Sequence, residues 1–226
     1  MKPVKTLLSV AAAGVVLSGC VTLLPKQQPV QLYRFGYDPA SLGKDGEVSQ
    51  RTLTPVPTAL ALGQVTFPQE AAGDRVLTTE NNELSYVGAS RWAVPAQVLF
   101  NEALSDGFSR AGNGLRLEPR GPSSAAFRID LNVRRFETDY RRGKATVSVD
   151  MDARLIRVAD HAIVSERFIT ADIGLQHNDM NDMVEAYNRA TTQAVLTLIE
   201  FCTETTASGN PDAVPTVSPG QVPVAK

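Results

Sequence analysis

Apolar and polar residues alternate most strictly in the second half of the chain. Phe127, Ile129, Leu131 and Val133 alternate with Arg128, Asp130, Asn132 and Arg134. Ala145, Val147, Val149, Met151, Ala153 and Leu155 alternate with Thr146, Ser148, Asp150, Asp152 and Arg154. A period of two with one polar face predicts strands of a sheet covered on one side and wet on the other. Ala159-Asp160-His161 predicts a turn. Residues 163–173 form the returning strand, with a less clean alternation.

The first half carries shorter signals. Residues 31–35 and 60–67 read as strands, the second stopped by Pro68. Residues 76–79 and 83–86 flank Asn81-Asn82, and asparagine tolerates the left-handed conformation that a tight hairpin needs. Pro95 suits the first turn of a helix. Behind it Leu99, Phe100, Ala103, Leu104, Phe108 and Ala111 recur at three- and four-residue spacing, up to the stop at Gly112-Asn113-Gly114. A last helix starts near Asn178 or Asp179, either a suitable cap. Met180, Met183, Val184, Tyr187, Ala194, Val195, Leu198 and Cys202 mark its buried face. The sum is an α+β fold, an antiparallel sheet meander with two amphipathic helices packed on one face.

The N-terminus reads differently. Lys2 and Lys5 precede an uncharged run from residue 7 to 17, too short to span a bilayer and the right length for a secretory signal. It ends in Leu17-Ser18-Gly19-Cys20, which resembles the bacterial lipobox. Cleavage between Gly19 and Cys20 then leaves Cys20 as the lipidated N-terminus, carrying a diacylglycerol and an N-acyl chain. Charge, apolar run and box agree, which a chance cysteine after an ordinary secretory signal does not explain. Val21 stands where an aspartate would signal inner-membrane retention in enterobacterial lipoproteins. By that resemblance the protein is an outer-membrane lipoprotein on the periplasmic side. The expected organisation is a signal peptide at 1–19, a lipidated tether at 20–30, one domain at 31–203, and a proline-rich disordered tail at 204–226. Within the domain, residues 36–59 form a long polar loop of a length that is usually functional or mobile.

Composition removes several function classes. The chain has 226 residues with 22 Lys+Arg against 24 Asp+Glu, and loss of Lys2 and Lys5 with the signal makes the mature chain mildly acidic. No nucleic-acid partner and no polybasic membrane patch follow from that balance. Two Cys and two His exclude a disulfide scaffold and a Cys- or His-rich metal centre. Cys202 falls on an apolar helix face, where an inert buried thiol is expected. His177 with Asp179 and Asp182 could be drawn as a metal site, but helix capping accounts better for those carboxylates. Asp150 and Asp152 share a strand face without an acid/base partner. No phosphate-cradling glycine loop and no nucleophile elbow is present. No catalytic residue, metal or non-covalent cofactor is assigned, and the chain reads as no enzyme.

The order of features resembles the ABC-type transport auxiliary lipoprotein family over roughly residues 17 to 202. The most specific piece is Asn82-Glu83-Leu84-Ser85-Tyr86, then Arg91-Trp92-Ala93 and Pro95. The length of the 36–59 loop and of the tail departs from the family, so neither inherits a role. The resemblance implies an auxiliary component of an MCE/ABC-type intermembrane lipid transport system. Its partners would be the membrane, through the lipid anchor, and a periplasmic MCE-domain protein. A ring-like homo-oligomer would suit a tube-shaped partner. An alternative is a lipoprotein that activates another envelope machine, such as a cell-wall synthase. Tyr86, Arg91 and Trp92 are the candidate partner-binding residues. For each there is a plainer role: Trp92 as a core anchor, Arg91 solvated, Tyr86 half-buried beside the tryptophan. Arg134, Arg135, Arg141, Arg142 and Lys144 form a basic hairpin end, expected to be a solvated face with Glu137 and Asp139 partly neutralising it.

Overall fold

The computed structural model describes residues 29–43, 57–119 and 124–209. The signal, the lipobox with Gly19 and Cys20, the tether up to residue 28, residues 44–56 of the long loop and the tail from 210 lie outside them. From Gln31 onward the chain forms one unit. Its elements are β1 (Gln31–Tyr33), β2 (Thr58–Thr66), α1 (Gln69–Ala72), β3 (Arg75–Glu80), β4 (Glu83–Trp92), α2 (Ala96–Ala111), β5 (Leu115–Glu118), β6 (Phe127–Asp139), β7 (Thr146–Arg157), β8 (Ile163–Gly174) and α3 (Met180–Gly209). Short 3-10 turns occupy Pro39–Leu42 and Arg141–Gly143.

The fold is α+β, as the pattern predicts, built on one open eight-stranded sheet. The meander is there: β6, β7 and β8 pair antiparallel along their length, and β3–β4 is an antiparallel hairpin. Asn81 and Asn82 turn that hairpin with φ of 48° and 70°, the left-handed pair that a two-residue loop requires. The sheet as a whole is mixed, because β1–β4, β2–β5, β2–β6 and β3–β6 pair parallel. Parallel neighbours are joined by long crossovers, so no local pattern announces them.

Strand β6 organises the sheet. β7 runs along one edge of it. The other edge is shared, with β2 pairing from Phe127 to Asn132 and β3 pairing at Thr138 and Asp139. Between these two the register of β6 against β7 shifts: Val133 faces Met151, and Arg135 faces Asp150. The extra residue, Arg134, is a β-bulge, and it reverses which parity points to the core. Phe127, Ile129, Leu131 and Val133 point inward before it, and Phe136 and Thr138 after it.

The core lies between the sheet and helices α2 and α3. Phe136 sits at its centre with Phe35, Tyr187 and Phe67 around it, at ring separations of 5.0, 5.0 and 5.5 Å. The helices touch at Gly107, where a Cβ would collide with Val195 of α3. Glycine weakens a helix interior by roughly 1 kcal/mol, and here it permits the close crossing. Helix α3 runs to Gly209, beyond the domain end expected at 203. Thr203 and Thr206 are buried there, and their hydroxyls donate to the carbonyls of Ile199 and Cys202 one turn back. That local bonding lets a Thr-rich segment continue a helix that composition alone would end.

Candidate functional site

The residues singled out in the 86–92 segment come together through an irregular β4. Leu77 pairs with Tyr86 and Arg75 pairs with Arg91, so four residues of β4 (87–90) stand against Val76 alone. Ala89 takes up the excess in the left-handed region at φ 52°, a costly conformation for a side chain with a Cβ. The bulge brings Tyr86 and Arg91 to either side of Arg75. The Arg75 guanidinium lies over the Tyr86 ring at 3.6 Å from its centroid. The Tyr86 hydroxyl donates to the Glu70 carbonyl at 3.2 Å. Arg91 pairs with Asp74 at 3.3 Å, and both side chains are about half exposed. The result is a surface with one stacked arginine and one ion pair, net positive by one charge. It can recognise a partner, but it holds no nucleophile and no acid/base pair.

Trp92 takes the opposite direction. It is 2% exposed, edge-on to Phe35 and Tyr187 at 4.9 and 5.0 Å, and its amide donates to the Asp74 carbonyl. Of the three residues, only Tyr86 and Arg91 reach the surface. The sequence reading missed Arg75 and Asp74, which complete the surface. Their only signal was a charged pair at the start of a strand. Nothing in the sequence marks Ala89.

At the basic hairpin end Arg134, Arg135 and Arg141 are paired with carboxylates. Arg135 reaches Glu137, Asp139 and Asp150 at 3.1, 2.9 and 3.4 Å. Burial pulls its pKa down, but the Glu137 hydrogen bond and the three carboxylates outweigh that and hold it above the ordinary arginine value. Arg134 pairs with Asp152 at 2.6 Å, and Arg141 with Asp139. Asp150 also accepts from Thr170 Oγ1 at 2.6 Å. The carboxylates on this strand face are therefore engaged in structure.

Of the carboxylates near His177, Asp179 caps the last helix and Asp182 ties down the loop before it. Asp179 accepts from the amides of Asn181 and Asp182, both at 2.9 Å, and Asp182 accepts from the amides of Gln176 and His177. Among the described residues no group of three His, Cys, Asp or Glu side chains could hold a metal ion. None of the described helices is long and apolar enough to cross a membrane. Cys202 is fully buried, and burial pushes its thiol up to about 12, the nearby Arg167 charge opposing. A thiol held protonated in this way is a poor nucleophile.

The model of one family, described as ABC-type transport auxiliary lipoprotein component, matches residues 42–198. The chain is similar in structure to a Xanthomonas campestris protein of the DUF330 family. The TM-score is 0.64 and the identity 19%, with 79% of this chain and 98% of that one covered. It is also similar to a hypothetical protein of Chlamydia trachomatis, with a TM-score of 0.51 and 11% identity, covering 68% of this chain and 99% of that one. At these identities the likeness is one of fold. No curated protein matches the chain.

Proposed function

We propose a tethering role for this chain, which belongs to the ABC-type transport auxiliary lipoprotein family. In this reading it is a non-catalytic, lipid-anchored component of an MCE/ABC-type intermembrane lipid transport system, docking the transporter at the periplasmic side of the outer membrane. The family match over residues 42–198 carries the proposal. Leu17-Ser18-Gly19-Cys20 supplies the anchor and Val21 the outer-membrane address.

The physics of such a tether is simple. Each buried acyl methylene contributes about 0.8 kcal/mol, so several chains on Cys20 hold firmly. The segment from Cys20 to Gln31 reaches at most about 40 Å when extended. Confinement to that range raises the effective concentration of the domain near envelope partners, so a weak docking surface suffices. The surface formed by Tyr86, Arg75, Arg91 and Asp74 is the docking candidate. No cofactor enters this role beyond the covalent diacylglycerol and N-acyl chain of Cys20.

The test is partner capture in cells. The C-terminal tail is tagged, proteins are crosslinked mildly, and captured proteins are identified by mass spectrometry. Recovery of an MCE-domain protein, sharply reduced by Cys20→Ala and by Tyr86→Ala with Arg91→Ala, is the expected result. Recovery of a cell-wall synthase without any MCE-domain protein would overturn the reading. Membrane fractionation checks the address separately: the wild type follows the outer membrane, and Cys20→Ala leaves the membrane fraction.

A further inference from the structure

The chain leaves β1 along the flank of α2. Arg34 pairs with Glu102 at 3.1 Å. Further on, the Arg110 guanidinium lies 5.5 Å from the centroid of the Tyr37 ring, and a Cβ on Gly107 would sit 3.3 Å from that ring. Residues 34–37 therefore run beside α2 in the same direction. Extended chain rises about 3.3 Å per residue and a helix about 1.5 Å, so two residues back from Arg34 match four back from Glu102. Leu32 is thus level with Val98. β1 also lies against the end of β4, where the Ala93 amide donates to the Tyr33 carbonyl at 2.8 Å.

These placements gather one apolar patch. Leu32, Val94 and Val98 are 66%, 37% and 43% exposed, and Ala93 and Pro95 beside Val94 are exposed too. The inward positions next to them belong to Tyr33 and Trp92. Arginines stand at the margin: Arg34 two residues along the chain, Arg91 beside Leu32 in register, and Arg75 beyond it. Glu102 and Asp74 each pair with one of them, which leaves one positive charge in excess. An apolar centre rimmed by arginines suits a lipid surface, since their stems lie along hydrocarbon while the charge stays among the phosphates.

The occupant follows from where the patch lies. Gln31 opens β1, and Cys20 stands 11 residues before it. With acyl chains on Cys20, the end of the domain that carries Leu32 stays within about 40 Å of the bilayer. Phe168, another exposed apolar side chain, is on β8, an edge strand far from β1 in the sheet order. An anchored domain meets its membrane repeatedly, so a patch too small to bind a membrane alone is enough to seat it.

We infer that this patch seats the domain on the bilayer that holds its own lipid anchor. Leu32, Val94 and Val98 enter the acyl boundary, and Arg34 and Arg91 lie at the level of the phosphates. The sheet then stands with β1 at the membrane and β8 away from it. The inference rests on the lipidation of Cys20 in the tethering role.

The test uses the full lipidated chain in vesicles of phosphatidylethanolamine and phosphatidylglycerol. Nitroxide labels are placed singly at Leu32→Cys, Val94→Cys, Val98→Cys and, as the distant control, Phe168→Cys. Cys202 is buried and does not compete for the label. Flotation is read first: a chain that does not float with the vesicles overturns the anchored role and this inference together. In floating chains the three patch labels should gain collisions with dissolved oxygen and lose them with a water-soluble nickel chelate, while the Phe168→Cys label stays aqueous. Val94→Ser with Val98→Ser should return the Leu32→Cys label to water without releasing the chain from the vesicles. Patch labels as open to the chelate as the control, or a control as shielded as the patch, overturn the inference and leave the anchor standing. Circular dichroism checks folding. Should a labelled chain not fold, the wild type carries the test. Trp92, the one tryptophan of the chain and the residue before Ala93, should be quenched by lipids brominated on the acyl chain, and absence of quenching overturns the inference.

Discussion

On the helix side of β7, Val147, Val149, Met151 and Ala153 are shut away completely. On the opposite side of the same strand Ser148 and Asp150 are almost as inaccessible, at 2% and 6%. The first set is closed off by an apolar layer. The second is held by polar neighbours: Ser148 by Asp172 at 2.6 Å, Asp150 by Thr170 and Arg135. Burial on the two faces therefore has different consequences. Apolar burial stabilises in proportion to the area removed from water. Buried charge contributes little net stability, yet removing one member of such a network leaves the others exposed to the full cost of desolvation.

The sharpest way to break this contrast is on the apolar side. Phe136→Ala should destabilise by about 3–5 kcal/mol, because the ring is at the centre of the aromatic cluster. Urea unfolding reads this directly. Equality with the polar-side variants would sink the distinction.

On the polar side Asp150→Ala should cost about 1–3 kcal/mol, since Arg135 keeps Glu137 and Asp139 but the Thr170 hydroxyl loses its acceptor. Asp150→Asn, which keeps an acceptor for Thr170, should recover part of it.

A separate effect comes with alkali. Tyr187 and Cys202 both have pKa values raised by burial, Cys202 from 9.0 to about 12. Their protonated forms are favoured in the folded state, so this contribution is complete below about pH 9. It fades as the unfolded thiol ionises and is lost towards pH 12. Thermal melts between pH 8 and 11 should show the decline. The Cys202 thiol should stay inert to disulfide reagents at pH 8 until the protein is unfolded.

The least effect belongs to an exposed ion pair. A double-mutant cycle on Arg154 and Glu166, 2.9 Å apart with both side chains more than half exposed, should give a coupling of about 0.2–1 kcal/mol that salt removes.

Much of this contrast was written locally. The alternation at 127–133 and 145–155, the Asn81-Asn82 turn, Pro95 before its apolar stripe and Asp179 before the last helix each act within a few residues, and each appears where the pattern puts it. The Arg134-Arg135-Phe136 step is the instructive failure. Strict alternation would carry Arg135 inward. The bulge places Phe136 there instead and turns Arg135 to the carboxylates of Asp150, Glu137 and Asp139. A break in the pattern was visible, but which strand would absorb it was not. Strand β5, four residues long, was missed because its partner β2 is distant in sequence. The strand read at 83–86 runs on past its irregularity to Trp92, where it pairs with the equally distant β1. At the candidate site, Tyr86, Arg91 and Trp92 were legible as a group. Their division into two surface residues and one core residue was not, because it depends on the bulge at Ala89.

By itself the sequence determined the α+β class, the antiparallel meander and the Asp179 cap of the last helix, since all of these follow from propensity and period over short spans. Only the tertiary structure decided the parallel pairings, the parity switch in β6 and the burial of Trp92. Those depend on which distant segments meet, and a chain's local chemistry does not encode the geometry of a meeting that closes only when the whole core packs.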